Sequence, residues 1–229
     1  MMTSGLKELR VISGIASFLV AVICLVGCST VQVQHPGTDS GPLDQGEALT
    51  VVLDYGGGSP EDAAKLEVRL SKCVQEALNE AGLAAKVVPS DEFRRTVFPD
   101  MDITSAPRSA KSLASLLKVP QFRHKVDSLR LRYLITVTEN TASRYKAAAL
   151  GVTQTKTTNL TAHIIDVKNP SETGEVSITA ESKGAYGLAM FLPIIVPART
   201  ESPACKRLGR EVVKVISGET ESKPAGDAP

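Results

Sequence analysis

Hydrophobic and polar residues follow two different periods in the first half of the chain. Residues 49–53, "LTVVL", are almost continuously apolar and predict a buried strand, and "AAKVVP" predicts a second, shorter one. Between them apolar residues recur at helical spacing from Ala63 to Ala81, so we expect a helix that Ser59 caps, Pro60 opens and Gly82 ends. The segment "SDEFRRTVF" predicts another helix, and "SAKSLASLLKVPQFRHKVDSL" predicts one or two more.

The second half of the chain has the alternating pattern of β-strands. Three segments, "RYLITVTENT", "KTTNLTAHIIDVK" and "GEVSITAESKGAYG", predict strands, and the turn "NPSETG" joins the last two as an antiparallel hairpin. A final helix is expected over about residues 203–216, with an inward face made of Cys205, Leu208, Val212, Val215 and Ile216. The sequence therefore predicts an α+β fold: a single domain with a mixed β-sheet and a central antiparallel hairpin packed against helices.

The first 28 residues have the pattern of an export signal. A short basic start precedes an apolar run of about sixteen residues, which is short for a membrane-spanning helix. The run ends in "LVGC", which resembles the lipobox of bacterial lipoproteins. That resemblance implies cleavage before Cys28, acylation of its sulfur with fatty acids such as palmitate, and, with Ser29 next, delivery to the outer membrane facing the periplasm. An uncleaved anchor helix with an incidental cysteine is the alternative.

Composition and charge divide the rest of the chain. We expect a signal peptide at residues 1–27, a flexible tether rich in Gly, Pro, Ser and Asp at 28–47, an α/β envelope domain at 48–217, and a disordered tail at 218–229. Of the 26 basic and 25 acidic residues, Lys7, Arg10 and Glu8 lie in the signal, so the mature chain carries equal numbers of both. This balance argues against binding of nucleic acid.

Two cysteines remain besides Cys28 once the signal is removed. Cys73 and Cys205 each lie on the inward stripe of a predicted helix. In an oxidising compartment two such thiols predict one disulfide, provided that both helices pack on the same face of the sheet. Two separate buried cysteines are the alternative.

The glycine-rich turn "YGGGSP", residues 55–60, lies between a strand and a helix, where many proteins bind phosphate. A P-loop requires Lys followed by Ser or Thr after its glycines, and Ser59-Pro60-Glu61-Asp62 stands there instead. The two carboxylates oppose a phosphate at the helix start, and Pro60 removes an amide donor. We therefore expect a turn and no nucleotide cofactor.

Catalytic and metal-binding patterns are not evident in the sequence. Ser, His163 and Asp166 could nominally form a triad, but residues three apart on a strand point to opposite faces. The chain has no G-x-S-x-G or H-E-x-x-H motif and no cysteine pair at zinc spacing. We expect no enzymatic activity, no metal and no cofactor.

The segment "YGLAMFLPIIVPART", residues 186–200, is unusually apolar. One interpretation is a strand end followed by a buried connector into the last helix. The other is an exposed loop whose apolar side chains contact a protein partner or the bilayer surface, namely Phe191, Leu192, Ile194 and Ile195.

The order of elements and the central hairpin together resemble a group of bacterial envelope proteins. The group comprises the curli-secretion-channel lipoproteins, the amino-terminal domain of the TolB translocation protein and the lipoprotein activators of peptidoglycan synthases. The likeness is specific at the turn of the hairpin, in Ile165, Asp166, Val167, Gly174, Glu175 and Val176. It implies a non-enzymatic, lipid-anchored protein that binds another envelope component and assists assembly, secretion or surface-polymer synthesis. The alternative that it implies is a subunit of an oligomeric outer-membrane secretion pore. In that alternative residues 145–165 and 186–198 would insert in the membrane as strands; "AALGVTQTKTTNLTAHI" alternates partly, whereas "FLPIIVP" does not alternate.

Overall fold

A computed structural model describes residues 32–34, 42–55, 59–102, 105–148, 151–170, 173–189, 192–196 and 199–218. Seven strands and five helices lie in this part of the chain. In chain order they are β1 (Gln32–Gln34), β2 (Ala48–Asp54), α1 (Pro60–Glu80), β3 (Lys86–Val88), α2 (Ser90–Val97), α3 (Ala110–Leu116), α4 (Pro120–Ser128), β4 (Leu131–Ala148), β5 (Gly151–Asp166), β6 (Thr173–Ala189), β7 (Leu192–Val196) and α5 (Glu201–Ser217).

All seven strands belong to one mixed sheet. Its order is β1-β6-β5-β4-β2-β3, and β7 also pairs with β6. β2 runs parallel to β3 and β4, whereas the other pairs are antiparallel, including the predicted hairpin of β5 and β6. The expected α+β class with a central antiparallel hairpin is confirmed. We call the end of the sheet where β2 terminates the distal end, and the end where β4 begins the proximal end.

Helices cover the two faces of the sheet unequally. α1 and α5 pack on one face, where buried residues of all the long strands form the larger core, with Leu49, Ile135 and Ile178 at most 1% exposed. α2, α3 and α4 pack on the other face over β2, β3 and the start of β4, and reach β5 only near its end at Ile165. Within the described ranges, the second face of β5 and β6 is therefore largely without a helical layer.

The two helices of the larger layer approach each other closely. Gly209 of α5 lies against the backbone of Cys73 in α1, where an added Cβ would be 2.6 Å from the Cys73 carbonyl oxygen. Cys73 and Cys205 are joined by a disulfide with a Cα–Cα distance of 5.9 Å. The first and last helices of the domain are thus linked both by packing and by a covalent bond across 132 residues of sequence.

Two segments contain short strands that the sequence pattern does not predict by itself. β1 lies inside residues 28–47, the expected flexible tether; "QVQ" pairs with residues 177–179 because β6 offers it an open edge. β7 lies inside the apolar segment, for which the alternatives were a strand end with a buried connector, an exposed loop and, in a pore, a membrane strand. Although "LPIIV" does not alternate, it forms a strand because it pairs in register with the end of β6, Leu192 opposite Ala189 and Val196 opposite Ala185.

Four strands extend past the helices at the distal end. All residues of β4 from Leu131 to Val137 are buried, whereas residues 140–147 are all exposed although they pair with β5 throughout. β2 ends opposite Thr138, so within the described residues the rest of β4 has a partner on one side only. We call residues 140–148, 151–159, 180–189 and β7 the distal sheet.

Candidate functional site

A charged cleft of about 460 Å³ lies at the carboxyl end of β2. This is the position where ligands bind in many α/β proteins, and both α1 and α5 begin beside it. Its walls come from β2, α1, β4 and α5, and they carry four carboxylates and two cations. The lining residues are Leu53, Asp54, Tyr55, Ser59, Asp62, Ala63, Lys65, Leu66, Arg69, Glu139 and Glu201.

Most of the charged side chains that line this cleft form ion pairs within the protein. Glu201 binds the Lys156 ammonium at 2.7 Å and the Arg69 guanidinium at 2.7 Å. These two hydrogen-bonded cations, Lys156 first, lower the pKa of Glu201 below its ordinary value although burial opposes them. Lys65 lies 3.8 Å from Asp62. The cations of the cleft therefore face carboxylates of the same chain.

The described residues at the start of α1 disfavour binding of a phosphate. The Ser59 hydroxyl accepts a hydrogen bond from the Glu61 amide at 3.2 Å, and Pro60 has no amide hydrogen. Glu61 and Asp62 place two carboxylates in the first turn, where they stabilise the positive end of the helix dipole and repel an anion. Residues 56–58 of the glycine-rich turn lie outside the described residues. The expectation of a helix capped by Ser59 is confirmed.

His163 and Asp166 do not face each other. Asp166 is buried and binds Arg132 at 2.7 Å, and its other oxygen accepts hydrogen bonds from the amides of Lys168, at 2.7 Å, and Asn169. His163 lies on the opposite face of β5, 3.8 Å from Glu175. Asp166 therefore fixes the turn between β5 and β6, which gives this position of the hairpin motif a structural role. Within the described ranges, no group of three His, Cys, Asp or Glu side chains could hold a metal ion.

The uncovered face of β5 and β6 is a continuous polar surface. Along both strands, buried apolar residues alternate with partly exposed polar ones, which is typical of a sheet packed on one face and solvated on the other. Thr161 and Ser177 are paired across the strands, with their hydroxyl oxygens 3.2 Å apart. We call this surface the polar sheet face; it consists of Asn159, Thr161, His163, Glu175, Ser177 and Thr179.

The distal sheet carries a ladder of tyrosine and glutamine side chains that the sequence did not reveal. The Gln154 amide donates to the Tyr145 hydroxyl at 3.1 Å and accepts from the Tyr186 hydroxyl at 2.8 Å, so the ladder crosses β4, β5 and β6. Tyr145 is 66% exposed, and Val152 beside it is 38% exposed. In the strand register, odd residues of β4 lie on the same face as even residues of β5. This regular alternation is the sequence signal that could have placed the tyrosine and glutamine side chains together.

Cations occupy the opposite face of the distal sheet. Arg144 and Lys183 both stand opposite Thr155 in the strand register, and Lys146 stands opposite Thr153, two residues further toward the tip. All three are exposed, and none of them forms an ion pair in the part of the chain that the structure describes. Glu181 is the acidic residue of the distal sheet.

Two of the predicted sites lie outside the described residues, namely Cys28 and Phe191. Leu192, Ile194 and Ile195 lie on β7, at the tip of the distal sheet. Among the described helices, none has a stretch of apolar residues long enough to cross a membrane.

Comparison with known proteins gives only weak likenesses. No protein-family model and no curated protein sequence matches the chain. It is similar to the PelC dodecamer from Paraburkholderia phytofirmans, with 12% identity, a TM-score of 0.39, and coverage of 82% of this chain and 96% of that one. It is also similar to the lipoprotein GNA1162 from Neisseria meningitidis, with 14% identity, a TM-score of 0.38, and coverage of 75% and 99%. Both TM-scores are low, so neither likeness indicates what this chain does.

Proposed function

We propose that the chain is a lipid-anchored, non-enzymatic protein of the bacterial envelope that binds another envelope component through the polar sheet face. The observation that carries this proposal is that, among the described residues, no helix covers most of β5 and β6 on a face whose side chains are hydroxyls, an amide and few charges. Such a face offers hydrogen-bond donors and acceptors at the fixed spacing of two paired strands. It suits a partner that brings complementary polar groups.

Several features support this assignment to the envelope. The "LVGC" segment marks Cys28 for acylation, and acyl chains stabilise membrane attachment by about 0.8 kcal/mol per buried CH₂. The disulfide between Cys73 and Cys205 belongs to an oxidising compartment such as the periplasm. The domain then faces the periplasm from the outer membrane, between residues 48 and 217, and residues 218–229 follow it as a tail. Its role is to assist assembly, secretion or surface-polymer synthesis.

Site-specific photo-crosslinking in cells tests the binding surface. A photoreactive residue at Thr161 lies at the centre of the polar sheet face, and Lys206 on the exposed side of α5 is the matched control. We expect one adduct of defined mass from position 161 that is missing from position 206. Identical patterns from the two positions would show that the polar sheet face is not the binding surface.

The absence of catalysis is tested at His163, which is the exposed member of the nominal triad. His163→Ala should leave the biological function of the protein unchanged, whereas a catalytic histidine would cause a loss of several orders of magnitude. Asp166 is unsuitable for this test because its buried ion pair with Arg132 is structural.

A second candidate function, an oligomeric secretion pore, is favoured by the edges of the distal sheet. Within the described residues, β4 past Thr138 and β7 each pair on one side only. A sheet with one open edge on either side can pair head to tail with further copies, and such contacts close into a ring when the rotation permits. The native mass of the full-length lipoprotein in mild detergent separates the two functions: a monomer or dimer supports the adaptor, and a ring of many subunits supports the pore.

A further inference from the structure

We propose that the distal sheet is a membrane-docking element whose tip inserts into the bilayer leaflet that holds the acyl chains of Cys28. The inference rests on the proposed lipid anchor and goes beyond it, since an anchor alone does not orient a domain. The occupant of the surface is an anionic phospholipid leaflet. Three independent features of the distal sheet carry the proposal.

The direction of β1 places the anchor at the distal end. β1 is antiparallel to β6, with Gln34 opposite Ser177 and Gln32 opposite Thr179, so the chain followed back toward Cys28 moves toward the distal end. Cys28 is four residues before Gln32, and four extended residues span at most about 14 Å. β6 continues from Thr179 to Ala189, which is about 33 Å at 3.3 Å per residue. The strand therefore extends about 20 Å beyond the furthest level that Cys28 can reach.

The composition of the distal sheet changes a few residues beyond that level. Its tip consists of residues 147–148, 151–152, 186–189 and 192–195, of which Tyr186 alone is polar and none is charged. Tyr145 lies two residues before the tip and is joined through Gln154 to Tyr186, in the innermost row of the tip. Tyrosine favours the boundary between hydrocarbon and headgroups, because its ring is apolar and its hydroxyl is polar. The order is therefore apolar at the tip and amphipathic at the level of the anchor.

The charge of the distal sheet complements an anionic leaflet. Arg144, Lys146 and Lys183 lie within two rows of the tyrosine level, are exposed, and have no ion-pair partner among the described residues. A cation next to an anionic bilayer contributes about 1 kcal/mol to binding. Because the mature chain as a whole has equal numbers of acidic and basic residues, this excess of cations is local to the distal sheet.

The dimensions favour insertion into one leaflet over spanning. About 20 Å of strand beyond the anchor level is shorter than the hydrocarbon core of about 30 Å. The open edges of β4 and β7 would also lose backbone hydrogen bonds in hydrocarbon. The distal sheet therefore enters one leaflet and does not cross the bilayer.

The chain has no tryptophan, so a single introduced tryptophan reports its own depth. The full-length acylated protein carrying Val152→Trp at the tip is reconstituted into vesicles of phosphatidylethanolamine and phosphatidylglycerol that contain brominated lipid. The control is Met101→Trp, because Met101 is 52% exposed and lies away from the tip. Met101 follows the end of α2 near the proximal end, where the Val97 carbonyl accepts a hydrogen bond from Lys125. We expect bromine quenching and a blue-shifted emission at position 152, and neither at position 101.

Three outcomes would overturn the inference, and they are distinguishable. Flotation of the protein with the vesicles but no quenching at position 152 would leave the lipid anchor intact and reject the docking of the sheet. Equal quenching at positions 152 and 101 would show that the domain has no fixed orientation. Failure of the protein to float would reject the lipid anchor and, with it, the inference.

The contribution of charge is tested in the same vesicles. Combining Arg144→Gln, Lys146→Gln and Lys183→Gln with the Val152→Trp reporter should lower the ratio of inserted to free tip by a factor on the order of 100, or roughly fivefold per cation. The effect should vanish at high salt or in vesicles of phosphatidylcholine alone. An unchanged ratio in anionic vesicles at low salt would contradict the proposed role of these cations.

Discussion

The buried ion pair between Glu67 and Arg94 should be the most sensitive polar contact of the domain. The two side chains are 6% and 7% exposed, and the Arg94 guanidinium binds both carboxylate oxygens. Glu67 also accepts the Leu53 amide at 2.8 Å and the Ser90 hydroxyl at 2.6 Å. β3 pairs with β2 only as far as Thr50, so it does not reach Leu53. The Glu67 carboxylate accepts the hydrogen bond of the Leu53 amide in place of a strand.

Substitution of either partner leaves the other as an uncompensated buried charge. Glu67→Leu and Arg94→Leu should each lower the free energy of unfolding by about 3–5 kcal/mol. Glu67→Leu additionally leaves the Leu53 amide and the Ser90 hydroxyl without an acceptor, which costs about 1–3 kcal/mol for each group. Since domains of this size are stable by about 5–15 kcal/mol, either change should remove a large share of the total.

The double variant separates the ion pair from general disruption of the core. Glu67→Leu with Arg94→Leu removes both charges, so its loss should be no larger than that of Glu67→Leu alone, with a coupling energy above about 2 kcal/mol. Urea unfolding followed by circular dichroism measures all three variants. The exposed pair of Lys72 and Glu76 on the same helix is the control, and Glu76→Gln should cost at most about 0.5 kcal/mol. Losses below about 1 kcal/mol in both single variants, or strictly additive losses, would refute a coupled buried pair.

Three further predictions concern the layer formed by α1 and α5. Replacing Cys73 and Cys205 by serine should lower stability by about 4 kcal/mol, as judged by the urea midpoint, because the bond closes a loop of more than a hundred residues; an unchanged midpoint would mean that the bond adds nothing. Gly209→Ala should cost about 1–3 kcal/mol in the same assay, since its Cβ would meet the Cys73 backbone, and a neutral effect would contradict the close approach. The lowered pKa of Glu201 means that its contribution is complete above the ordinary glutamate value of 4.5 and is lost as the pH falls through the lower value in the folded state. Unfolding at pH 6 and pH 3 should therefore show a larger acid-induced loss for the native chain than for Glu201→Gln, by less than about 1 kcal/mol because the group is partly exposed; equal losses would contradict this.

Elements with strong local periodicity were predictable from the sequence. The helical stripe of α1 and the alternating strands β5 and β6 bury one face each, so their patterns record their final environment. β7 was not predictable in this way, because "LPIIV" is a strand only by virtue of the edge that β6 offers. The role of Glu67 was also not recognisable from the sequence, because Glu67 lies on a buried helical face and its partner Arg94 is 27 residues away.

The candidate surfaces show the same limit. Alternation along β5 and β6 indicates a polar face, but whether helices cover that face depends on how far α2, α3 and α4 reach across the sheet. The extension of β4 past the core was likewise invisible, since residues 140–147 pair as regularly as the buried half of the strand. How the helices pack over the sheet decides which surfaces of this molecule are open to contact. A single sequence does not encode that packing locally.

The short strand β1 also determines how the domain resists mechanical force. With Cys28 acylated, a pull on the domain is transmitted through four residues to Gln32 and then to β6, along the strand axis. The hydrogen bonds between Gln32–Gln34 and residues 177–179 are then loaded together in shear, whereas a pull across the strands would break them one after another. A pull on an acylated Cys28 would therefore load β1 and its pairing with β6 before it loads the disulfide-linked helices.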